Sequence, residues 1–258
     1  ISAQMSAQIE EEGEIVLSAK LFVDMMRRMN GDIVTIRTDE KYLTEIKSGA
    51  TEFTILGIPS DEFPEIPVVQ EEQSIRLPQH LLKGMIDQTL FAISTNDSKP
   101  VHTGSLFQLE DGELRVVSVD GFRLALRREK VSTEGAAQFI IPGKTLSEMT
   151  KLLSEDEEEE AGLFLSRKHV VVQIGQYRVI SRLLEGEFLD YRAAIPEGNT
   201  TTVTVDVRPF VDSIERTSLL ISDRLKSPLR IQFGEDQIKM SCSTSIGKAY
   251  DQLECKLE

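Results

Sequence analysis

Tryptophan is absent from this chain of 258 residues, aromatic residues make up 6%, and there are only two cysteines and three histidines. Cys242 and Cys255 cannot build a disulfide framework and lack CxxC spacing, so they read as strand residues of a protein kept in a reduced cytoplasm. His80, His102 and His169 fall in separate elements without ligand spacing, and no metal site is expected. No apolar run approaches the roughly 18 residues a membrane helix needs, and no basic, apolar, small-residue leader opens the chain. GxGxxG, Walker-loop and nucleophile-elbow patterns are all missing. Asp120 beside Gly121 reads as a turn residue, not a general base. No catalytic residues and no cofactor are therefore expected. Positive charge is also in deficit: 29 Lys and Arg stand against 43 Asp and Glu, for a net charge of −14. That balance opposes general adhesion to nucleic acid, because phosphates repel an acidic surface. The acidic run at residues 155–160 (EDEEEE) reads as a solvated hairpin loop.

What the chain does contain is a repeat with a period of about 125 residues. Residues 15–67 read as strand (IVLS), helix (AKLFVDMMRRM), three strands (DIVTIRT, YLTEIKSG, TEFTIL) and a closing EFPEIP. Residues 139–196 read as strand (FIIP), helix (GKTLSEMTKLL), acidic loop, three strands (GLFLSR, HVVVQIG, YRVISRLL) and a closing GEFLDYRAAIP. Lys20 matches Lys144, Met25 matches Met149 and Phe63 matches Phe188. A second pair runs through residues 74–127 and 203–254. It begins with SIRLP and the helix QHLLKGMIDQTLFAI in one copy, and with VTVDV and the helix RPFVDSIERTSLLI in the other. Ile86 matches Ile214 and Thr89 matches Thr217. The unit is one amphipathic helix, with Leu81, Leu82, Met85, Ile86, Leu90 and Phe91 on the apolar side of its second copy, and a few alternating strands. Helices on one face of antiparallel sheets give an α+β class. Breaks are placed in polar stretches near Glu72 and Asn199, giving domains 1–72, 73–199 and 200–258. The chain opens on Ile1 and alternates at both ends, so its outer two domains are read as incomplete.

Charge divides unevenly over this repeat. At the polar helix positions Lys20, Arg27, Arg28, Lys83, Lys144, Lys151, Arg208 and Arg216 outnumber Asp24, Asp87, Glu148, Asp212 and Glu215. Helices sharing one direction would make that surface mildly positive and leave the rest strongly negative.

VSVDGFRLALR at residues 116–126 resembles the ATDGHRLA segment of the bacterial DNA polymerase sliding clamps, the beta subunits of the replicative polymerase. KPVHTGSLF, FIIPGKTLSEM, EGEFLDYRAAIP and FTILGIPSDEFPEIP resemble other segments of that family in the same order. The resemblance implies a DNA clamp fold of three similar domains per chain. It also implies a head-to-tail homodimer that closes a ring, with helices lining the bore. Such a ring is a processivity factor: it encloses double-stranded DNA without reading sequence. It tethers the replicative polymerase alpha subunit, the clamp loader and other clamp-binding-motif proteins, and no membrane is involved. The basic helix residues above would then face the DNA. Position by position, the resemblance assigns a partner-peptide cleft to His102, Val119, Gly121, Phe122, Arg123, Leu124, Leu189, Ala193 and Ala194. His102, Val119, Phe122, Leu189 and Ala193 depart from the residues common in the family (Leu, Thr, His, Pro and Arg). It assigns ring closure to Thr51, Phe53 and Ile55 on an edge strand and to Leu219 and Leu220 at a helix end. Two other readings stay open: an acidic peptide-binding scaffold that does not enclose nucleic acid, and a hydrolase whose active site lies outside these residues.

Overall fold

Proline starts the two best-buried helices. Pro78 (φ −55°, ψ 140°) ends strand Gln73–Pro78 and leads without a loop into α2. Pro142 (φ −57°, ψ 139°) does the same between strand Ala137–Pro142 and α3. The ring fixes φ and the missing N–H costs nothing at a helix start. The helices are α1 (Ala19–Met26), α2 (Gln79–Asp87), α3 (Gly143–Met149), α4 (Tyr191–Ala194) and α5 (Val207–Ser218). The computed structural model describes residues 1–67, 69–70, 72–133, 135–222 and 227–257. It divides into two units, Ile1–Leu189 and Asp190–Glu258.

In the first unit, residues 73–189 contain two copies of the repeat that exchange strands. Strand Gln73–Pro78 feeds α2 but pairs with Glu160–Leu165 of the other copy, Ile75 opposite Leu163. Strand Ala137–Pro142 feeds α3 but pairs with Gly104–Glu110 of the first copy, Leu106 opposite Ile140. The result is one antiparallel sheet of Leu124–Lys130, Glu113–Val119, Gly104–Glu110 and Ala137–Pro142. A second runs Ser2–Ala3, Tyr177–Arg182, His169–Ile174, Glu160–Leu165 and Gln73–Pro78. One buried cluster draws on both sheets and both helices, including Ile75, Leu82, Met85, Ile86, Phe107, Val116, Ile141, Leu146, Met149, Leu163 and Val172. Strand alternation gives the four-stranded sheet a second buried row, Leu106, Val117, Val119 and Ile140, on its opposite face. Ahead of these, strands Thr35–Thr38, Leu43–Ser48 and Thr51–Leu56 form a three-stranded sheet in that order.

In the second unit, α5 packs on strands Gln237–Thr244 and Gly247–Glu254, with Arg230–Phe233 beside them. The matched threonines do the same work in both units. Thr89 donates its buried hydroxyl to the Met85 carbonyl at 2.7 Å, and Thr217 donates to Ser213 at 2.6 Å.

Several local expectations change; the helices expected over 19–29 and 143–153 end at Met26 and Met149, and the strand expected over 203–207 keeps only Val203–Thr204. The helix expected over 79–93 stops at Asp87, because Thr89 leaves helical dihedrals (φ −123°, ψ −33°). The chain then makes a 3₁₀ turn at Leu90–Ala92. Phe91 therefore lies outside the apolar helix face, 59% exposed. The strand expected from Phe122 begins at Leu124, since the preceding residues form a turn. IVLS contributes an isolated bridge, Val16 to Ile58, in place of a strand.

Candidate functional site

Five of the expected cleft residues sit around one turn. Val119 ends strand Glu113–Val119 and is buried at 4% exposure, opposite Leu124 across the ladder. Between them Gly121 adopts φ 92°, which a side chain would resist, so the chain can reverse there. Asp120 accepts hydrogen bonds from the backbone N–H groups of Phe122 (2.9 Å) and Arg123 (3.1 Å), and from Arg123 Nε (2.9 Å). Those donors hold its carboxyl below the ordinary range, the Phe122 N–H bond contributing most. Phe122 stands fully in solvent. The Arg123 guanidinium lies 5.6 Å from the centre of the Phe91 ring, a cation–π distance. Leu124 is half-buried.

His102 lies in the 3₁₀ turn Pro100–Thr103 and meets Phe188 edge to face, with centroids 5.4 Å apart. Burial, and secondarily the Lys99 charge, push its pKa down. Leu189 closes the first unit and is exposed. Ala193 and Ala194 are exposed on α4 of the second unit, whose N-terminus Asp190 caps by accepting from the Arg192 N–H at 3.2 Å. Sequence reasoning placed Asp120 in a turn but missed its carboxylate network. It also missed Phe91 and Phe188 as neighbours of the site. The Asp-Gly pair was the available signal for Asp120; the ring contacts span too much chain to leave a local one.

The basic helix residues fall into two groups. Lys83 donates to Glu155 at 2.8 Å, and this bond lowers the Glu155 pKa. Lys151 pairs with Glu148 at 2.8 Å, and Arg216 grips Asp251 through Nε (3.0 Å) and a terminal nitrogen (2.6 Å). Among the described residues Lys20, Arg27, Arg28, Lys144 and Arg208 have no carboxylate partner, and all are exposed. The acidic loop does not hang free. Buried Gln79 donates to the Glu160 carbonyl (3.1 Å) and accepts from the Ser154 N–H (2.9 Å), while its own N–H donates to the Glu159 carbonyl (2.8 Å).

Of the residues expected to close a ring, Thr51, Phe53 and Ile55 are half-buried and alternate with exposed Glu52, Thr54 and Leu56. Their strand is at the sheet margin, pairing among the described residues only with Leu43–Ser48. Leu219 is 80% exposed just after α5, and Leu220 is half-buried. Among the described residues no group of His, Cys, Asp and Glu could hold a metal ion, and no helix is long and apolar enough to cross a membrane.

Comparison with known proteins follows the same organisation. The models for the N-terminal, central and C-terminal domains of the DNA polymerase III beta subunit match residues 1–67, 76–190 and 192–258, in that order. The beta sliding clamps of Staphylococcus aureus and Bacillus subtilis strain 168 are 34% and 33% identical over 250 and 249 residues, 95% of this chain. The chain spans 66% of the length of these curated relatives. A putative DNA polymerase III beta subunit from Eubacterium rectale superposes with a TM-score of 0.94 at 32% identity, covering 99% of this chain and 70% of that one. The Bacillus subtilis sliding clamp gives 0.91 at 32% identity, covering 97% and 67%. The fold is that of the DNA clamps, α+β with repeated helix-and-sheet units. The chain belongs to the DNA polymerase III beta-subunit family, the bacterial sliding clamps.

Proposed function

We propose that this chain acts in a DNA sliding clamp, a non-catalytic processivity factor of the cytoplasm that encircles duplex DNA and tethers the replicative polymerase. The observation that carries the reading is the ordered match of all three clamp domains along a chain built from repeated helix-and-strand units. Three modules, with boundaries near residues 72 and 199, make each subunit. Two subunits close head to tail through the strand bearing Thr51, Phe53 and Ile55 and the helix end bearing Leu219 and Leu220. A marginal strand offers unpaired backbone groups to a partner of matching geometry.

Charge fits enclosure better than adhesion. With a net charge of −14, the outer surface repels a second duplex. Lys20, Arg27, Arg28, Lys144 and Arg208, which have no carboxylate partner among the described residues, meet phosphates weakly and without sequence preference. Lys83, Lys151 and Arg216 are engaged within the chain in exposed pairs, which contribute little to stability and can yield to a phosphate. Topology, not affinity, then keeps the polymerase at high local concentration near its primer end. The turn at Asp120–Arg123 with Val119 and Leu124, together with His102 and Leu189, contributes one wall of the partner-peptide cleft. Polymerase, clamp loader and other partners dock apolar anchors there.

The intact protein, loaded on nicked circular DNA, is expected to stay bound through a sizing column and to be lost once the circle is cut. Equal retention on both forms, or on neither, defeats the proposal and leaves a peptide scaffold as the alternative.

A further inference from the structure

The reversal after strand Glu113–Val119 is organised by one carboxylate. Asp120 Oδ1 takes both backbone N–H groups of the turn, while Oδ2 takes the Nε of Arg123. The Asp120 side chain is only 17% exposed and that of Arg123 is 56% exposed, so the acid lies beneath the base. The bond at Nε restrains the Arg123 side chain, whose guanidinium carbon lies 5.6 Å from the centre of the Phe91 ring. The turn therefore offers solvent an open phenyl ring at Phe122, and a guanidinium beside the exposed ring of Phe91. The Arg123 charge is already offset by Asp120 at close range. A further carboxylate gains less at this paired guanidinium than at a lone one, whereas an apolar or aromatic side chain can pack on the exposed rings.

We propose that Asp120 is the positioning residue of the partner site: by holding Arg123 against Phe91 it presents Phe122 and makes the site select apolar anchors over acidic ones. This rests on the reading of the turn as part of a peptide-binding cleft. Its consequence differs from simple support of the fold. A carboxamide at position 120 keeps an oxygen for the backbone N–H groups but gives up the charge that neutralises Arg123. The turn would persist and the selectivity would not.

The test uses the intact protein and two labelled octapeptides identical except for their ends, Leu-Phe or Leu-Glu, titrated by fluorescence polarisation. The unaltered protein is expected to prefer Leu-Phe by about tenfold, the worth of one well-placed anchor. Asp120→Asn is expected to weaken Leu-Phe about three- to fivefold and strengthen Leu-Glu about twofold, with an unchanged melting temperature. The preference then nearly vanishes. Phe91→Ala, which leaves the turn intact but removes the ring under Arg123, is expected to lower the preference in the same sense. If Asp120→Asn and Asp120→Ala weaken both peptides alike and the ratio stays near tenfold, Asp120 only supports the fold and the proposal is overturned. If the unaltered protein binds neither peptide, the cleft reading itself falls and takes this proposal with it.

Discussion

Residues 73–189 and the unit Asp190–Glu258 are built from the same helix-and-strand repeat, yet they bury themselves very differently. On α2, Leu82, Met85 and Ile86 are wholly inaccessible to solvent. On α5 only Ser213 and Thr217 are buried, while Val207 and Val211 are 77% and 42% exposed. The difference lies in the exchanged strands. In the central region each helix packs on the sheet in which its own leading strand joins the other copy's strands, and apolar residues converge from both copies. In the second unit one helix lies on three strands whose buried residues are chiefly Ile238, Met240 and Cys242. The working core of this fold is thus a property of two repeats together, not of one.

Alanine at core positions should expose that contrast most strongly. Met85→Ala is expected to cost about 2–5 kcal/mol, because the cavity is walled by two sheets that cannot both collapse into it. Val211→Ala, on an open helix face, should cost less than about 1 kcal/mol. Urea titration of the two variants measures both, and equal losses would break the comparison.

The paired threonines test the opposite expectation, that some features are indifferent to the surrounding core. Thr89→Val and Thr217→Val each remove one hydroxyl bonded to a helix carbonyl. Each should cost about 1 kcal/mol, and the two should agree within experimental error. A much larger loss at Thr89 would mean that the shared contact depends on the central core after all.

The smallest expected effect separates the regions by pH. His102 has a folded pKa below its ordinary value of 6.5. As pH falls through 6.5 the unfolded chain takes up a proton that the folded chain resists, so stability declines from that point down to the folded pKa. In the second unit Asp251 is held below its ordinary value of 3.8, first by the Arg216 bond, so its contribution survives until pH falls below that value. Between pH 7 and pH 5, the His102 region should soften while the Asp251 pair holds. Hydrogen exchange at Phe188 and at Thr217, followed over that range, reads the two separately. His102→Leu should abolish the central region's response.

Most strands were legible from alternation, and Thr51–Leu56 has the bounds its pattern predicted, because side-chain period is a local property. Helix ends were less legible. Nothing in the apolar spacing of 79–93 marks Thr89 as the point where a hydroxyl replaces a backbone bond and turns Phe91 outward. The exchange of strands left no trace at all, since hydrophobic patterning gives element order but not pairing partners. For the candidate site, the Asp-Gly reversal could be read. Phe91 beneath Arg123, Phe188 against His102, and Lys83 with Glu155 could not, because each joins segments that only folding brings near.

The lent strands carry a further consequence. A lone helix-and-sheet repeat would have a leading strand with no sheet of its own and a sheet with one berth open. Only a twin could fill both vacancies, each copy lending its first strand to the other. Residues 73–189 are such a pair of twins tied into one thread, so neither can drift off and leave the other half-made.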